Sequence, residues 1–141
     1  MGLMCTGCFE KKALYQVRRN HFEEYHPYQV GTCKCGSNVC EVDDLCIDAI
    51  IILNKKGWTT KFCCSGHLDD EDIGTYVYFE HAPDTIPPIG FRWDRGNGMD
   101  TIRYDKSNDT PLTGLRGYRR LLDLNYNLYV WADSLSERKV E

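Results

Sequence analysis

The chain has 141 residues, of which 42% are hydrophobic, so it can form one domain with a buried core, or one core with a small satellite module. Its formal net charge of -4 excludes a global positive field, which disfavours nonspecific binding to a nucleic-acid backbone. No apolar run approaches the roughly 18 residues of a membrane-spanning helix, and the N-terminus lacks a secretory layout. We therefore expect a cytoplasmic protein with no membrane contact.

Eight cysteines are many for a chain of this length, and in a reducing compartment they indicate metal binding or reactive thiols rather than disulfides. Two pairs near the N-terminus flank an interval in which residues 13–17 and 28–30 suit short strands. Two such hooks around a hairpin are typical of a zinc ribbon, where four thiolates close a tetrahedral site. We predict a zinc ribbon over residues 1–41 with four metal ligands: Cys5, Cys8, Cys33 and Cys35.

The second hook departs from the usual pattern, because one residue rather than two separates Cys33 from Cys35. Cys40 can replace either member of that hook, and His21 and His26 are alternative ligands. A further alternative is that all these cysteines are free thiols in a β-rich cap. Metal binding is favoured, because about forty residues cannot hold a fold by apolar burial alone.

Residues 42–141 are predicted to form an α+β core domain. Asp43 or Asp44 can cap a helix over the apolar run 45–53, and Gly57 suits its left-handed C-terminal stop. Cys46 on this helix is expected to be a small buried hydrophobe.

The rest of this domain alternates between strands and turns before a final helix. Residues 58–62 and 75–80 suit the strands of one hairpin, and 91–94 with 101–104 suit a second, across a glycine-rich turn. Residues 117–137 carry apolar side chains at helical spacing, which predicts an amphipathic helix that covers the sheet. The predicted architecture is α+β, with the zinc ribbon packed on antiparallel hairpins and two helices.

The run Cys63-Cys64-Ser65-Gly66-His67 concentrates reactive side chains at a turn. In a catalytic interpretation, Cys64 is a nucleophile whose thiolate is favoured by His67 or Lys61, with Asp69 or Asp70 orienting the histidine. In a metal interpretation, Cys63, Cys64 and His67 bind an ion with His81 or an acidic residue. Adjacent cysteines on a strand point to opposite faces, which disfavours it.

In a third interpretation, the backbone donors of the turn face an anion such as a phosphate or carboxylate, and the thiols are structural. The candidate ligand-binding residues of the turn are Cys63, Ser65, Gly66 and Lys61.

The run just described, together with the paired N-terminal hooks, resembles a group of small proteins from bacteriophages and Gram-positive bacteria. The segment 47–79 is also distantly similar to the tRNA wybutosine-synthesis methyltransferase family, whose motif reads Ser-x-Cys-Ser-Gly-Arg. Cys64, Ser65 and Gly66 match that motif, whereas His67 stands at the arginine. The resemblance implies an anion or nucleotide-like ligand near the turn, although imidazole does not give the bidentate grip of guanidinium.

These observations favour a zinc-binding accessory protein of phage type that binds a host protein or a nucleoprotein partner. One alternative is an RNA- or nucleotide-modifying enzyme that uses Cys64 and His67. Another is an inhibitor of a host defence nuclease, in which the acidic run 69–72 imitates phosphates. Aromatic residues expected to be exposed in this acidic chain, such as Tyr25, Tyr28 and Trp93, favour recognition of a partner over tracking of a phosphate backbone.

Overall fold

The structure is a computed structural model that describes residues 2–16, 29–66, 74–98, 100–104 and 114–139. Two helices and two four-stranded antiparallel sheets confirm the α+β prediction. Within the described ranges, no helix combines the length and apolar character needed to cross a membrane. The elements in chain order are β1 (Gly2–Cys5), β2 (Lys11–Lys12), β3 (Gln29–Thr32), β4 (Asn38–Val42), α1 (Ile47–Lys55), β5 (Thr60–Cys64), β6 (Tyr76–Phe79), β7 (Phe91–Asp94), β8 (Asp100–Tyr104) and α2 (Gly114–Ser134).

The first sheet has the strand order β2-β1-β4-β3 and joins two hairpins edge to edge. Strands β1 and β4 pair from Gly2 opposite Val42 to Cys5 opposite Val39. This pairing places the turns of the two hairpins side by side. The sequence predicted one hairpin between the two cysteine hooks, but each hook instead lies inside a hairpin turn. The predicted strand at 13–17 is also wrong, because Leu14–Gln16 forms a 3₁₀ turn.

The second sheet has the order β5-β6-β8-β7 and carries both hairpins that the sequence predicted. Strand β7 matches its predicted bounds, whereas β5 starts two residues later than predicted. One face of this sheet contributes Val77, Phe79, Phe91 and Ile102 to the main core. The same core includes buried apolar residues of both helices, so the helices cover that face.

Helix α1 ends as predicted but begins differently. Gly57 adopts φ +90°, the left-handed conformation that stops a helix at little steric cost to glycine. At the other end, the residue preceding the helix is Cys46, and it makes no side-chain capping bond. The carboxylate of Asp43, predicted as a cap, instead accepts hydrogen bonds from Ser65. The tertiary partner therefore replaces the local one.

Helix α2 presents the predicted apolar stripe to the core, with Leu121, Leu124, Leu128 and Trp131 all buried. Its C-terminal end is held by α1. The ammonium group of Lys56 donates to three carbonyl oxygens at that end, those of Ala132, Asp133 and Leu135, at 2.6 to 2.9 Å. A cation is favoured there because the last carbonyls of a helix carry partial negative charge and lack helical partners.

Candidate functional site

The four cysteines of the two hooks converge at one point. The sulfur atoms of Cys5, Cys8, Cys33 and Cys35 all lie within 4.8 Å of one another. The Sγ atoms of Cys5 and Cys35 are 3.4 Å apart, and those of Cys8 and Cys33 are 3.9 Å apart. None of the eight cysteines forms a disulfide. Four thiols grouped in this way could bind one metal ion.

The backbone of each hook explains why the two spacings differ. The residue after the second cysteine is left-handed in both hooks, with φ +55° at Phe9 and φ +90° at Gly36. In the first hook the amide of Phe9 bonds to the carbonyl of Cys5, four residues back. In the second, the amide of Gly36 bonds to the carbonyl of Cys33, three residues back. The second turn is one residue tighter, so a single residue between its cysteines suffices.

Close packing between the hooks depends on a glycine that the sequence analysis did not single out. A Cβ atom at Gly7 would collide with the side chain of Ser37 and lie 3.3 Å from the Cys35 sulfur. Only a residue without a side chain lets the first turn approach the second this closely. The pattern Cys-x-Gly-Cys carries this signal, because a glycine inside a metal hook indicates close approach of another backbone.

Hydrogen bonds and burial shift the pKa values of the cluster thiols in different directions. The amide and hydroxyl of Ser37 lower the pKa of Cys35 to about 6, and a backbone bond from Cys35 lowers the pKa of Cys33. Burial raises the pKa of Cys5 to about 11, although the amides of Cys8 and Gly7 approach its sulfur at 3.5 and 3.4 Å. Such donors stabilise metal-bound thiolate and orient it.

A cation lies near this thiol cluster. For Lys12 on β2, partial desolvation lowers the ammonium pKa and the charges of Cys33, Cys8 and Cys5 raise it, with a net upward shift. A metal site with four thiolates carries excess negative charge, so a neighbouring ammonium group is favourable.

The reserve ligands are not part of the cluster. Cys40 lies on β4 opposite Met4, half-buried, and burial raises the pKa of its thiol. In the part of the chain that the structure describes, no other group of three metal-ligating side chains comes together. His21 and His26 lie outside the described residues.

The Cys-Cys pair at the end of β5 divides between the two faces of the sheet. Cys63 is opposite Val77, on the core face, and Cys64 is opposite Tyr76, on the other face. The sulfur of Cys63 lies 3.9 Å from that of Cys46, which is buried as predicted. Adjacent cysteines with opposite orientations are poorly placed to bind one ion together. His67, the third ligand of the metal interpretation, lies outside the described residues.

Ser65, directly after β5, is a junction at which hydrogen bonds join three distant parts of the chain. Its amide and hydroxyl both donate to one carboxylate oxygen of Asp43, at 2.9 and 3.2 Å. Its carbonyl accepts bonds from the Thr75 hydroxyl and the Asn125 amide, at 3.0 and 3.1 Å. The Ser65 amide, one of the backbone donors predicted to face an anionic ligand, is therefore occupied by a carboxylate of the protein itself. Gly66 follows at φ +106° and turns the chain away.

Sequence reasoning missed the three residues that hold Ser65. Asp43 was assigned to a helix cap, and Thr75 and Asn125 were given no role. All three are separated from Ser65 by ten or more positions, so no local pattern connects them.

The electrostatic surroundings of Cys64 give the catalytic interpretation little support. Burial raises the pKa of Cys64, and the nearby negative charge of Asp43 adds to that shift despite a bond from the Gly66 amide. A raised pKa reduces the thiolate fraction that a nucleophile needs. Lys61 is exposed on β5. His67, Asp69 and Asp70 lie outside the described residues.

Comparisons of this chain with known protein families, with curated proteins and with solved structures give no match. The site must therefore be interpreted from its own geometry.

Proposed function

We propose that this chain is a zinc-binding accessory protein of phage type, in which a structural zinc ribbon supports a domain that binds a host protein or a nucleoprotein partner. The four-thiol cluster carries the proposal. Zinc–sulfur bonds of about 2.3 Å place the sulfurs of a tetrahedral site about 3.8 Å apart. The separations of 3.4 and 3.9 Å lie on either side of that value.

A structural role suits this donor set better than a catalytic one. Four thiolates fill a tetrahedral ion, whereas catalytic zinc sites keep one position for water or substrate. The cluster also sits where two short hairpins meet, and its buried set, among the described residues, is Cys5, Cys33 and Val39, with Leu3 and Cys8 packed against it. So little apolar burial cannot stabilise two hairpins, and a bound ion supplies the missing free energy.

Recognition of a partner is supported by the apolar surface of the rest of the chain. Several large hydrophobic side chains are more than half exposed, among them Phe62, Ile86, Ile89 and Leu115. Ile86 and Ile89 border one concavity together with Val130, and contiguous apolar surface of this kind is typical of surfaces that bind partners. Trp93, predicted to be exposed, is instead partly buried against the main core, and Tyr25 and Tyr28 lie outside the described residues.

Zinc content tests the proposal directly. Elemental analysis of the purified chain by inductively coupled plasma mass spectrometry should give one zinc per chain, because the described residues form one four-thiol site. Iron is the matched alternative, since it also accepts four thiolates. A ratio of zero, or one iron in place of zinc, would refute the zinc ribbon. Two zinc ions per chain would move the Cys-Cys-Ser-Gly-His run to a metal-binding role.

The competing function is an RNA- or nucleotide-modifying enzyme based on Cys64 and His67, and thiol reactivity separates it from a binding protein. Because the pKa of Cys64 is raised above its ordinary value, we expect slow alkylation at pH 7. The rate should rise about tenfold per pH unit up to pH 8.5, as the thiolate fraction does. Iodoacetamide labelling followed by peptide mass spectrometry measures this, with Cys64→Ser as the blank.

Fast alkylation of Cys64 at pH 7 that does not change with pH would show an activated thiolate and support the enzyme instead. Loss of modified bulk tRNA on Cys64→Ser replacement would do the same. The nuclease-inhibitor alternative depends on the acidic run 69–72, which lies outside the described residues, and it stays a prediction.

A further inference from the structure

The second sheet has one face buried against the helices and one outer face that no described helix covers. Strand pairing places eight side chains on the outer face in two parallel rows. The first row, from β5 to β7, is Cys64, Tyr76, Arg103 and Arg92. The second row is Phe62, Tyr78, Thr101 and Asp94. Neighbours within a row are opposite each other on adjacent strands, about 5 Å apart.

Across both rows, the outer face has an aromatic half on β5 and β6 and a basic half on β8 and β7. The aromatic half lies on β5 and β6, where the rings of Phe62 and Tyr78 are 6.1 Å apart and tilted by 32°. The Phe62 side chain is 56% exposed, although burial of an apolar ring is favoured over its exposure to water. The guanidinium group of Arg103 lies 5.6 Å from the Tyr76 ring and joins the two halves. Flat rings beside a guanidinium plane form a stacking surface.

The charge of this face is opposite to that of the whole chain. Arg103 and Arg92 are directly opposite each other on β8 and β7, a like-charge pair that is unfavourable by itself. Asp94 accepts a 3.0 Å bond from the Nε atom of Arg103, so one carboxylate faces two guanidinium groups. Lys61 lies beside Phe62 but lines a cleft at the edge of this face together with Glu41 and Asp43, so it adds no excess positive charge. A local excess of positive charge in a chain of net charge -4 fits an anionic ligand.

A concavity follows the boundary between the two halves. It has a volume of about 330 Å³ and is lined by Phe62, Tyr76, Tyr78, Thr101 and Arg103. This volume falls in the range of about 300 to 1,000 Å³ that small-molecule and cofactor sites occupy. A second cleft of about 180 Å³ adjoins it between the two sheets and shares Phe62 and Tyr76. The aromatic half therefore lines two neighbouring concavities.

We propose that this outer face binds single-stranded nucleic acid, with unpaired bases stacked on Phe62, Tyr76 and Tyr78 and a phosphate near Arg92 and Arg103. Aromatic rings on an antiparallel sheet accept the faces of unpaired bases, and arginine side chains accept their phosphates. A base is apolar and flat and its phosphate is anionic, so the two parts of a nucleotide complement the aromatic half and the basic half of the face. This inference rests on the proposed recognition function and specifies the chemistry of the partner.

Fluorescence anisotropy with labelled 12-nucleotide oligo-uridine and oligo-thymidine strands tests the proposal and separates RNA from DNA. We expect binding of at least one single strand and much weaker binding of a duplex, whose bases cannot reach the rings. Phe62→Ala should weaken binding about 5- to 150-fold, the effect of losing one stacked base.

The phosphate contacts predict a shallow dependence on salt. Two contacts to a single strand give a slope near -1.4 in log affinity against log salt, or about a sevenfold loss from 50 to 200 mM. Arg92→Gln should weaken binding to every sequence by a similar factor and reduce this slope by about half. A much steeper slope, together with an affinity that Phe62→Ala does not alter, would point to nonspecific attraction and overturn the proposal.

Tyr126→Ala provides the matched control, because Tyr126 is an exposed aromatic residue on α2, the helix that packs behind the sheet. It should leave binding unchanged. Equal losses in Tyr126→Ala and Phe62→Ala would overturn the proposal, as would a zinc-loaded chain that binds neither strand. In the second case zinc content would still support the ribbon, and the partner would be a protein. Self-association that Phe62→Ala abolishes would likewise assign this face to a second copy.

Discussion

Replacing Cys33 and Cys35 together by serine is expected to abolish metal binding and unfold the first sheet. The two residues form one hook and contribute two of the four thiols in the cluster. Structural zinc in small zinc-finger domains contributes roughly 10 to 16 kcal/mol to folding at neutral pH. The three-residue buried set of this region cannot replace that contribution. The metal-to-protein ratio should fall from one to zero.

Hydrogen–deuterium exchange resolved by peptide would locate the unfolding. Amides of β1 and β4 should lose protection in the double variant, because these strands pair beside the hooks. Amides of α2 should stay protected, since its apolar stripe packs in the main core, to which the described part of the first sheet contributes only Met4 and Val42.

Cys40→Ser is the matched control for this experiment, because Cys40 lies on the same sheet but outside the cluster. It should keep one zinc per chain and the exchange pattern of the unchanged protein. Loss of zinc in Cys40→Ser, or zinc retained in the double variant, would show that the ligand set is wrong.

Asp43→Ala is expected to lower the free energy of unfolding by about 3 kcal/mol. The substitution removes the acceptor of two bonds from Ser65 and leaves its amide without that partner in a residue that is only 6% exposed. Bonds to charged groups contribute about 1.5 to 3 kcal/mol each, and a buried donor without a partner is unfavourable. Urea unfolding followed by circular dichroism measures the change, and thermal unfolding should shift down by roughly 10 °C.

Two further variants separate this junction from helix capping. Ser65→Ala keeps the amide bond and loses only the hydroxyl bond to the carboxylate, so it should be destabilised by about 1.5 kcal/mol. Asp84→Ala, in an exposed loop, should change stability by less than about 0.5 kcal/mol. If Asp43 acted only as a helix cap, Ser65→Ala would be neutral and Asp43→Ala would cost about 1 kcal/mol. That pair of results would contradict the assigned junction.

Elements with strong local signals were predictable from the sequence. The apolar stripe of α2, the glycine stop after α1 and the second hairpin depend on residues within a few positions of each other. Side-chain periodicity and left-handed turn residues express those short-range preferences directly. The strand pairing around the hooks was harder to predict, because the same short apolar runs are compatible with one hairpin or with two.

The candidate site was predictable only in its composition. The spacing of four cysteines indicated a metal-binding cluster, since paired hooks rarely serve another purpose in a reducing compartment. The role of Ser65 was not predictable, because its partners Asp43, Thr75 and Asn125 come from three distant elements. Asp43 illustrates the reason: its carboxylate had a plausible local partner, and only packing decided between that partner and Ser65.

By itself the sequence determined which residues could ligate a metal, where both helices run and that the chain is α+β. The tertiary structure alone decided the composition of the outer face, where Phe62, Tyr76, Arg103 and Arg92 meet from four strands. The physical reason is the order of strand pairing. Local preferences fix which segments become strands, but the order β5-β6-β8-β7 and its register decide which side chains become neighbours.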